Sequence, residues 1–244
     1  MARQRVKRTR LDIIQCATTM FLGCGYTASS TKQIADELDI SIGNLTYYFP
    51  TKEHLLAVLV DMLCDYQWKR MEEEADDGHS SIMAICLELT AMAAACEADE
   101  AARDFYISSY SSPMCLEIIR RNDAARARDV FREYCPGWTE EQFAEAEALV
   151  SGVEFATLMT AGNPASLETR IAGALNTILQ IYQIPAETRK MKIHQVLAMD
   201  YRTIAARVLK EFRQFVADTN EQALEDLYKA KVLQKPNSRK EETI

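Results

Sequence analysis

The stretch from Ser30 to Leu56, STKQIADELDISIGNLTYYFPTKEHLL, leaves the chain few choices. Ser30 with Gln33 forms an S-x-x-Q capping box, so a helix starts there. Ile34, Ala35 and Leu38 give that helix one apolar stripe. Asp39-Ile40 interrupts it, and Ser41 is a good N-cap for a second helix with Leu45, Tyr48 and Phe49 on its buried side. Pro50 ends the second helix, because proline donates no hydrogen bond and restricts the residue before it. Thr51 can cap a third helix, with His54 standing where a full capping box has Glu. Two short helices, a tight turn and an immediate third helix spell a helix-turn-helix. In that motif the N-terminal residues of the second helix meet base edges in the DNA major groove.

The net charge of −8 over 244 residues sits badly with a polyanion partner until it is divided along the chain. Residues 1–55 carry seven Lys/Arg against five acids, a net +2, which leaves −10 for the remainder. Sign asymmetry between segments is the informative quantity. An acidic remainder is pushed away from phosphates and helps orient the molecule. The sequence has few Gly and Pro and is rich in Ala, Leu, Glu and Arg, which points to an all-α fold. No apolar run is long enough to span a bilayer. MARQRVKRTR lacks the apolar core of a secretory leader, so a cytoplasmic protein is expected. Seven widely spaced cysteines without C-x-x-C read as small core residues in a reducing compartment.

The residues T-K-Q-I-A-D-E-L, then S-x-G-N-L-x-Y-Y-F-x-x-K-E-x-L, resemble the DNA-binding domain of TetR-family transcriptional repressors. The matching positions are Thr31, Ile34, Ala35, Ser41, Gly43, Leu45, Tyr48, Phe49, Lys52, Glu53 and Leu55. Two departures stand out. Leu38-Asp39 replaces the usual small residue plus glycine at the turn, and Thr46 stands where the family mostly has tyrosine. The resemblance implies an all-α homodimer with an N-terminal three-helix DNA-binding domain and a larger helical domain for ligand binding and dimerisation. The expected boundaries are 1–55 for the first, 56–183 for the second, and 184–244 for a C-terminal helical extension.

Beyond the motif, helices are expected over about 9–23, 52–75, 80–98, 100–111, 113–135, 139–162 and 166–183. The basic residues 1–8 are expected to order only on DNA. Phe143, Ala146, Val150, Val153, Thr157 and Thr160 form one stripe, and Ile171, Leu175, Ile178 and Tyr182 another. Periodicity leaves open whether these face their own core or a partner; the resemblance favours a four-helix dimer interface. Leu197, Tyr201, Ile204, Val208, Phe212 and Phe215 suit about eight turns of helix, and Leu224, Leu227 and Tyr228 a second helix over 220–233, together a hairpin needing a partner surface.

For DNA, Ser41, Ile42, Gly43 and Asn44 are the candidate base-edge readers, and Asn44 suits adenine. Thr31, Tyr47, Tyr48 and Lys52 are candidate phosphate contacts, and Lys32 is a further candidate DNA contact for which a solvated surface lysine is the stronger explanation. Arg5, Lys7, Arg8 and Arg10 can reach the backbone or a minor groove. For an inducer, which the resemblance implies, the 80–135 helices offer Met83, Cys86, Leu89, Phe105 and Tyr106, then Tyr110, Met114, Ile118, Phe131 and Tyr134. These soft and aromatic side chains suit an apolar effector with one or two polar groups, although plain core packing explains most of them as well. Catalysis, metal and cofactor are not expected: His54, His79 and His194 are isolated, and there is no H-E-x-x-H, phosphate loop or G-x-S-x-G. A DNA-binding protein controlled by a partner rather than an inducer would carry the same motif.

Overall fold

In the computed structural model, residues 10–75, 81–159 and 164–226 are described. Among them every regular element is helical. The first four are α1 (Arg10–Gly23), α2 (Thr31–Glu37), α3 (Ile42–Tyr48) and α4 (Lys52–Ala75). Then come α5 (Ile82–Ala98), α6 (Glu100–Ser111), α7 (Pro113–Phe131), α8 (Glu140–Leu158) and α9 (Leu167–Ile181). The extension adds α10 (Ala186–Ala198) and α11 (Tyr201–Asp218), with residues 221–226 opening a further helix. None of the described helices is long and apolar enough to cross a membrane.

Short polar side chains set the helix starts. Ser81, Ser112, Thr139 and Ser166 each accept a hydrogen bond from a first-turn N–H. Thr139 and Gln142 complete a reciprocal capping box, and Pro113 follows Ser112 where its missing N–H costs nothing. The chain ends its helices with equal economy. Gln183 at φ +59° closes the α9 turn in the left-handed region. α8 stops at Leu158, before the expected end at 162; residues 160–163, Thr160 among them, lie outside the described ones.

α1, α2 and α3 form the N-terminal module, with Ile13, Ile14, Ala17, Phe21, Ile34, Leu45 and Phe49 as its core. α4 joins that core through Leu55 and Leu56 and runs on unbroken into the larger domain, where it packs against α5 and α7. α5 is the central helix of that domain, touched by α4, α6, α8, α9, α10 and α11.

Two expectations change. The apolar stripes of α8 and α9 turn inward: Phe143, Ala146, Val150 and Thr157 are buried, as are Ile171, Leu175, Ile178 and Tyr182. A helix that is one wall of a domain spends its apolar face on that domain's core. The outer face of α8 carries instead Leu149, Gly152, Ala156 and, just past its end, Met159, with Leu149 58 % and Met159 54 % exposed. The second change is in the extension. Its apolar stripe is not one long helix, because Met199 is extended and the Asp200 side chain accepts from the Thr203 N–H, starting α11 afresh.

The extension packs on the subunit itself. α11 buries Tyr201, Ile204, Val208, Phe212 and Val216 against α5, α4 and α1. Each such side chain is worth about 1.5–3 kcal/mol of burial. Gln15 on α1 donates through its Nε2 to the carbonyls of Val216, Ala217 and Thr219 at 3.0–3.1 Å, capping the end of α11. Leu224 is buried just beyond, while Leu227 and Tyr228 lie outside the described residues.

Candidate nucleic-acid interface and a buried acidic cavity

The α2–α3 unit is built from local signals. Ser30 Oγ accepts from Gln33 N at 3.2 Å, and Ser41 Oγ from Asn44 N at 3.1 Å. The turn between them needs a left-handed residue, and Asp39 fills it at φ +52°. A short polar side chain tolerates that region, at some cost against glycine. Leu45 and Phe49 then pin α3 to the module, both essentially fully buried. Everything else on α3 is left to solvent or half-covered. Ser41, Ile42, Gly43 and Asn44 are exposed at its N-terminal end, and Tyr47 is 81 % exposed. Tyr48 is half-buried, edge-on to Tyr47 at 5.1 Å. Thr46 turns back to donate to Ile42 O at 3.0 Å.

Thr31 is half-buried and Lys32 exposed on α2. Arg10 lies over the Phe49 ring at 5.5 Å. Arg5, Lys7 and Arg8 lie outside the described residues. Lys52 is more tied down than a phosphate contact would suggest. Its Nζ donates to the carbonyls of Tyr26 and Ser29, both at 2.9 Å, and sits 4.0 Å from the Tyr26 ring centre. Burial lowers its pKa, with Asp104 pulling the other way. An ammonium has three protons, so one remains for an outside acceptor.

The larger domain grips this module through α6. Asp104 accepts from Thr27 N at 2.7 Å and from Thr27 Oγ1 at 2.5 Å. Gly25 makes that approach possible: it sits at φ +93°, and a Cβ there would come 2.8 Å from the Asp104 carboxylate. One residue past the other end of α6, the Ser112 hydroxyl donates to Glu53 at the start of α4.

The same helix α6 walls a cavity of about 450 Å³ including its mouth. Phe105, Tyr106, Ser109 and Tyr110 face it from α6, Cys64 and Gln67 from α4, and Met92 from α5. Val60 and Leu63 from α4 and Ile119 from α7 add apolar surface, and four charged residues complete the lining: Glu88 from α5, Asp123 and Arg126 from α7, and Glu154 from α8. A second space of about 360 Å³ shares these four and adds Trp68, Phe131, Glu147 and Tyr182. Phenols and amides bind the acids. Tyr106 donates to Gln67 Oε1 at 2.7 Å, Gln67 to Glu88 at 2.9 Å, and Tyr110 to Glu154 at 2.9 Å. Tyr182 donates to Glu147, and Arg126 pairs with Asp123 at 3.0 Å. Burial pushes all four carboxyls up, Asp123 to about 7 and Glu147 to about 8, because a charged carboxylate in an apolar wall is disfavoured.

Of the residues proposed from sequence for an effector, Phe105, Tyr106 and Tyr110 line the first space and Phe131 the second. Met83, Cys86 and Leu89 are buried along α5 away from both, and Met114, Ile118 and Tyr134 are half-buried outside them. The acids were not anticipated. A signal was present: Glu88 is the one charged residue between Ile82 and Cys96, an otherwise apolar run with a single Thr.

The family profile described as bacterial regulatory proteins, tetR family, matches residues 13–59. The HTH-type transcriptional regulator YuxN of Bacillus subtilis (strain 168) is 34 % identical over 80 residues, 33 % of this chain and 28 % of that protein's length. Among solved structures, a gamma-butyrolactone receptor (ArpA-like protein) aligns over 86 % of this chain and 100 % of its own, at 17 % identity and a TM-score of 0.42. The TetR family protein CprB from S. coelicolor A3(2) aligns over 83 % and 97 %, at 20 % identity and a TM-score of 0.43. The N-terminal module, over residues 13–59, thus carries the DNA-binding signature of the tetR family of bacterial regulatory proteins.

Proposed function

We propose that the protein is a homodimeric repressor that binds a pseudo-palindromic operator and releases it when a small molecule fills the α4–α8 cavity. The observation that carries the DNA half is the presentation of α3. Its far side is locked by Leu45 and Phe49 while Ser41 to Asn44 and Tyr47 stand open. A Cβ on Gly43 would meet only Ser41 Oγ, at 3.9 Å, so the free protein's own packing does not call for a glycine there. Close approach of a base edge or phosphate does. Asn44 reads base, while Thr31, Lys32, Tyr47, Tyr48 and the third proton of Lys52 hold phosphates, joined by Arg10 and the basic residues Arg5, Lys7 and Arg8 ahead of it.

The regulatory half rests on α6. One helix contributes four side chains to the cavity and, from Asp104, the grip on the α1–α2 loop. A ligand that favours one placement of α6 therefore biases the placement of the reading head, which is all an effector needs to do. For the dimer, the exposed Leu149, Gly152, Ala156 and Met159 face of α8 is the surface offered to a second copy.

The test is selection of random duplexes by the purified protein at physiological ionic strength. Recovery of an inverted repeat with half-sites one turn apart, roughly 34–36 Å, is expected. Recovery of no preferred sequence overturns the reading. Leu149→Glu is expected to yield monomers in sedimentation and to lose that inverted repeat.

A further inference from the structure

The two spaces, which share Glu88, Asp123, Arg126 and Glu154 and of which the second adds Glu147, hold more acid than their base can answer. Arg126 lies 3.0 Å from Asp123 and 3.8 Å from Glu88, and reaches Asp65 at 3.9 Å. Glu147 and Glu154 have no cation within ion-pair distance among the described residues. Each has one phenol, Tyr182 or Tyr110, on one oxygen. Glu147 is only 3 % exposed, and its second oxygen has no hydrogen-bond partner among the described residues. As pure architecture this is poor. Glutamine would accept the same phenol without a buried carboxyl, and burying an unanswered charge is costly.

We propose that the effector of this cavity is an organic cation, an amine, quaternary ammonium or amidine carried on an apolar or aromatic body, held by Glu147 and Glu154 against the tyrosine walls. This rests on the reading of the cavity as the effector site. The walls suit such a molecule, and the space, about 450 Å³ only when its open mouth is counted, must widen to admit one. Tyr106, Tyr110 and Phe105 offer ring surfaces in the first space, and the second already shows the pairing: Arg126 stands over the Trp68 ring at 5.2 Å. A metal ion fits less well, since no three His, Cys, Asp or Glu groups among the described residues come close enough to hold one. The unfilled site lessens its own repulsion by keeping protons on these acids, as the upward shifts of Glu147, Glu154 and Asp123 imply. An arriving cation takes their place. The groups facing it are Glu88, Asp123, Arg126, Glu147 and Glu154, with Cys64 and the phenols of Tyr106, Tyr110 and Tyr182. Binding therefore releases protons and strengthens as pH rises.

The full-length protein is titrated with charge-matched probes on phenylalkyl and naphthylalkyl scaffolds, each as amine, alcohol and carboxylate. Melting temperature, heat in two buffers of different ionisation enthalpy, and operator affinity are read together. Amines are expected to stabilise, to release protons and to release the operator, and the alcohols and carboxylates are not. Glu147→Gln and Glu154→Gln keep their phenol partners and fold, which melting curves check, and each is expected to weaken amine binding roughly tenfold or more. Equal stabilisation by alcohols or carboxylates, or amine binding that both variants leave unchanged, overturns the cation assignment. If those other probes also release the operator, the effector reading survives that loss. If no probe of any charge binds or releases DNA, both fall.

Discussion

The outer face of α3 and the cavity behind α6 handle polar groups in opposite ways. On α3 the polar side chains are kept in water, and two apolar anchors, Leu45 and Phe49, suffice to hold them out. Nothing there opposes folding, and any energy gained on contact with DNA is new. In the cavity, Glu147 and its neighbours are withdrawn from water with one guanidinium among them. Folding works against that arrangement, so the protein keeps in the cavity a free energy that a suitable guest can recover. If α3 reads DNA and the cavity takes an effector, as proposed, the reading surface is stable when empty and the responding pocket is not.

The comparison can be broken most severely at its anchor. Leu45→Ala empties a fully buried site beneath the reading face and should cost about 2–5 kcal/mol, with operator binding lost and the melting temperature sharply lower. If α3 keeps its DNA affinity after that change, the claim that burial positions the reading residues fails.

The cavity should give the next largest effect, through pH. In the unfolded chain Glu147 and Asp123 ionise near their ordinary values of about 4. Folded, they hold protons until about 8 and about 7. The folded state thus binds more protons across that window, so stability falls as pH rises from about 5 to about 8. Each group contributes at most about 1.4 kcal/mol per pH unit. Urea unfolding at pH 5.5 and 8, windows chosen from those values, checks the sign. Glu147→Gln should flatten the dependence and raise stability at the higher pH.

Tyr47→Ala sharpens the other side. An 81 % exposed ring with one T-shaped neighbour contributes little to folding, so stability should stay within about 0.5 kcal/mol. Operator affinity should fall by about 1.5–3 kcal/mol if its hydroxyl meets a phosphate, as fluorescence anisotropy would read. The smallest effect belongs to the turn. Asp39→Gly relieves a left-handed aspartate, and the gain, offset by glycine's freedom in the unfolded chain, should stay below about 1 kcal/mol in a melting curve.

The two regions were also unequally legible in the sequence. Ser30, Ser41 and Pro50 act on residues within one helical turn of themselves, so the helix-turn-helix can be read from its letters. The cavity's bonds run between partners far apart: Gln67 to Glu88, Tyr106 to Gln67, Glu147 to Tyr182. No periodicity places such groups together, and a glutamate on a helix reads as solvated until its neighbours are known. The stripes of α8 and α9 show the same limit. Spacing of Phe143, Val150 and Thr157 says that a face is buried, not which body buries it. In the extension, Leu197 and Tyr201 keep helical spacing across a break, and Asp200, whose capping of Thr203 makes that break, gives no apolar signal.

Gln15 has a consequence of its own. Its amide knots the last carbonyls of α11 to the first helix of the reading head, across some two hundred residues of sequence. The head cannot swivel without carrying the tail along or untying that knot. A dye placed near Asp218 would therefore report on motion at the opposite terminus.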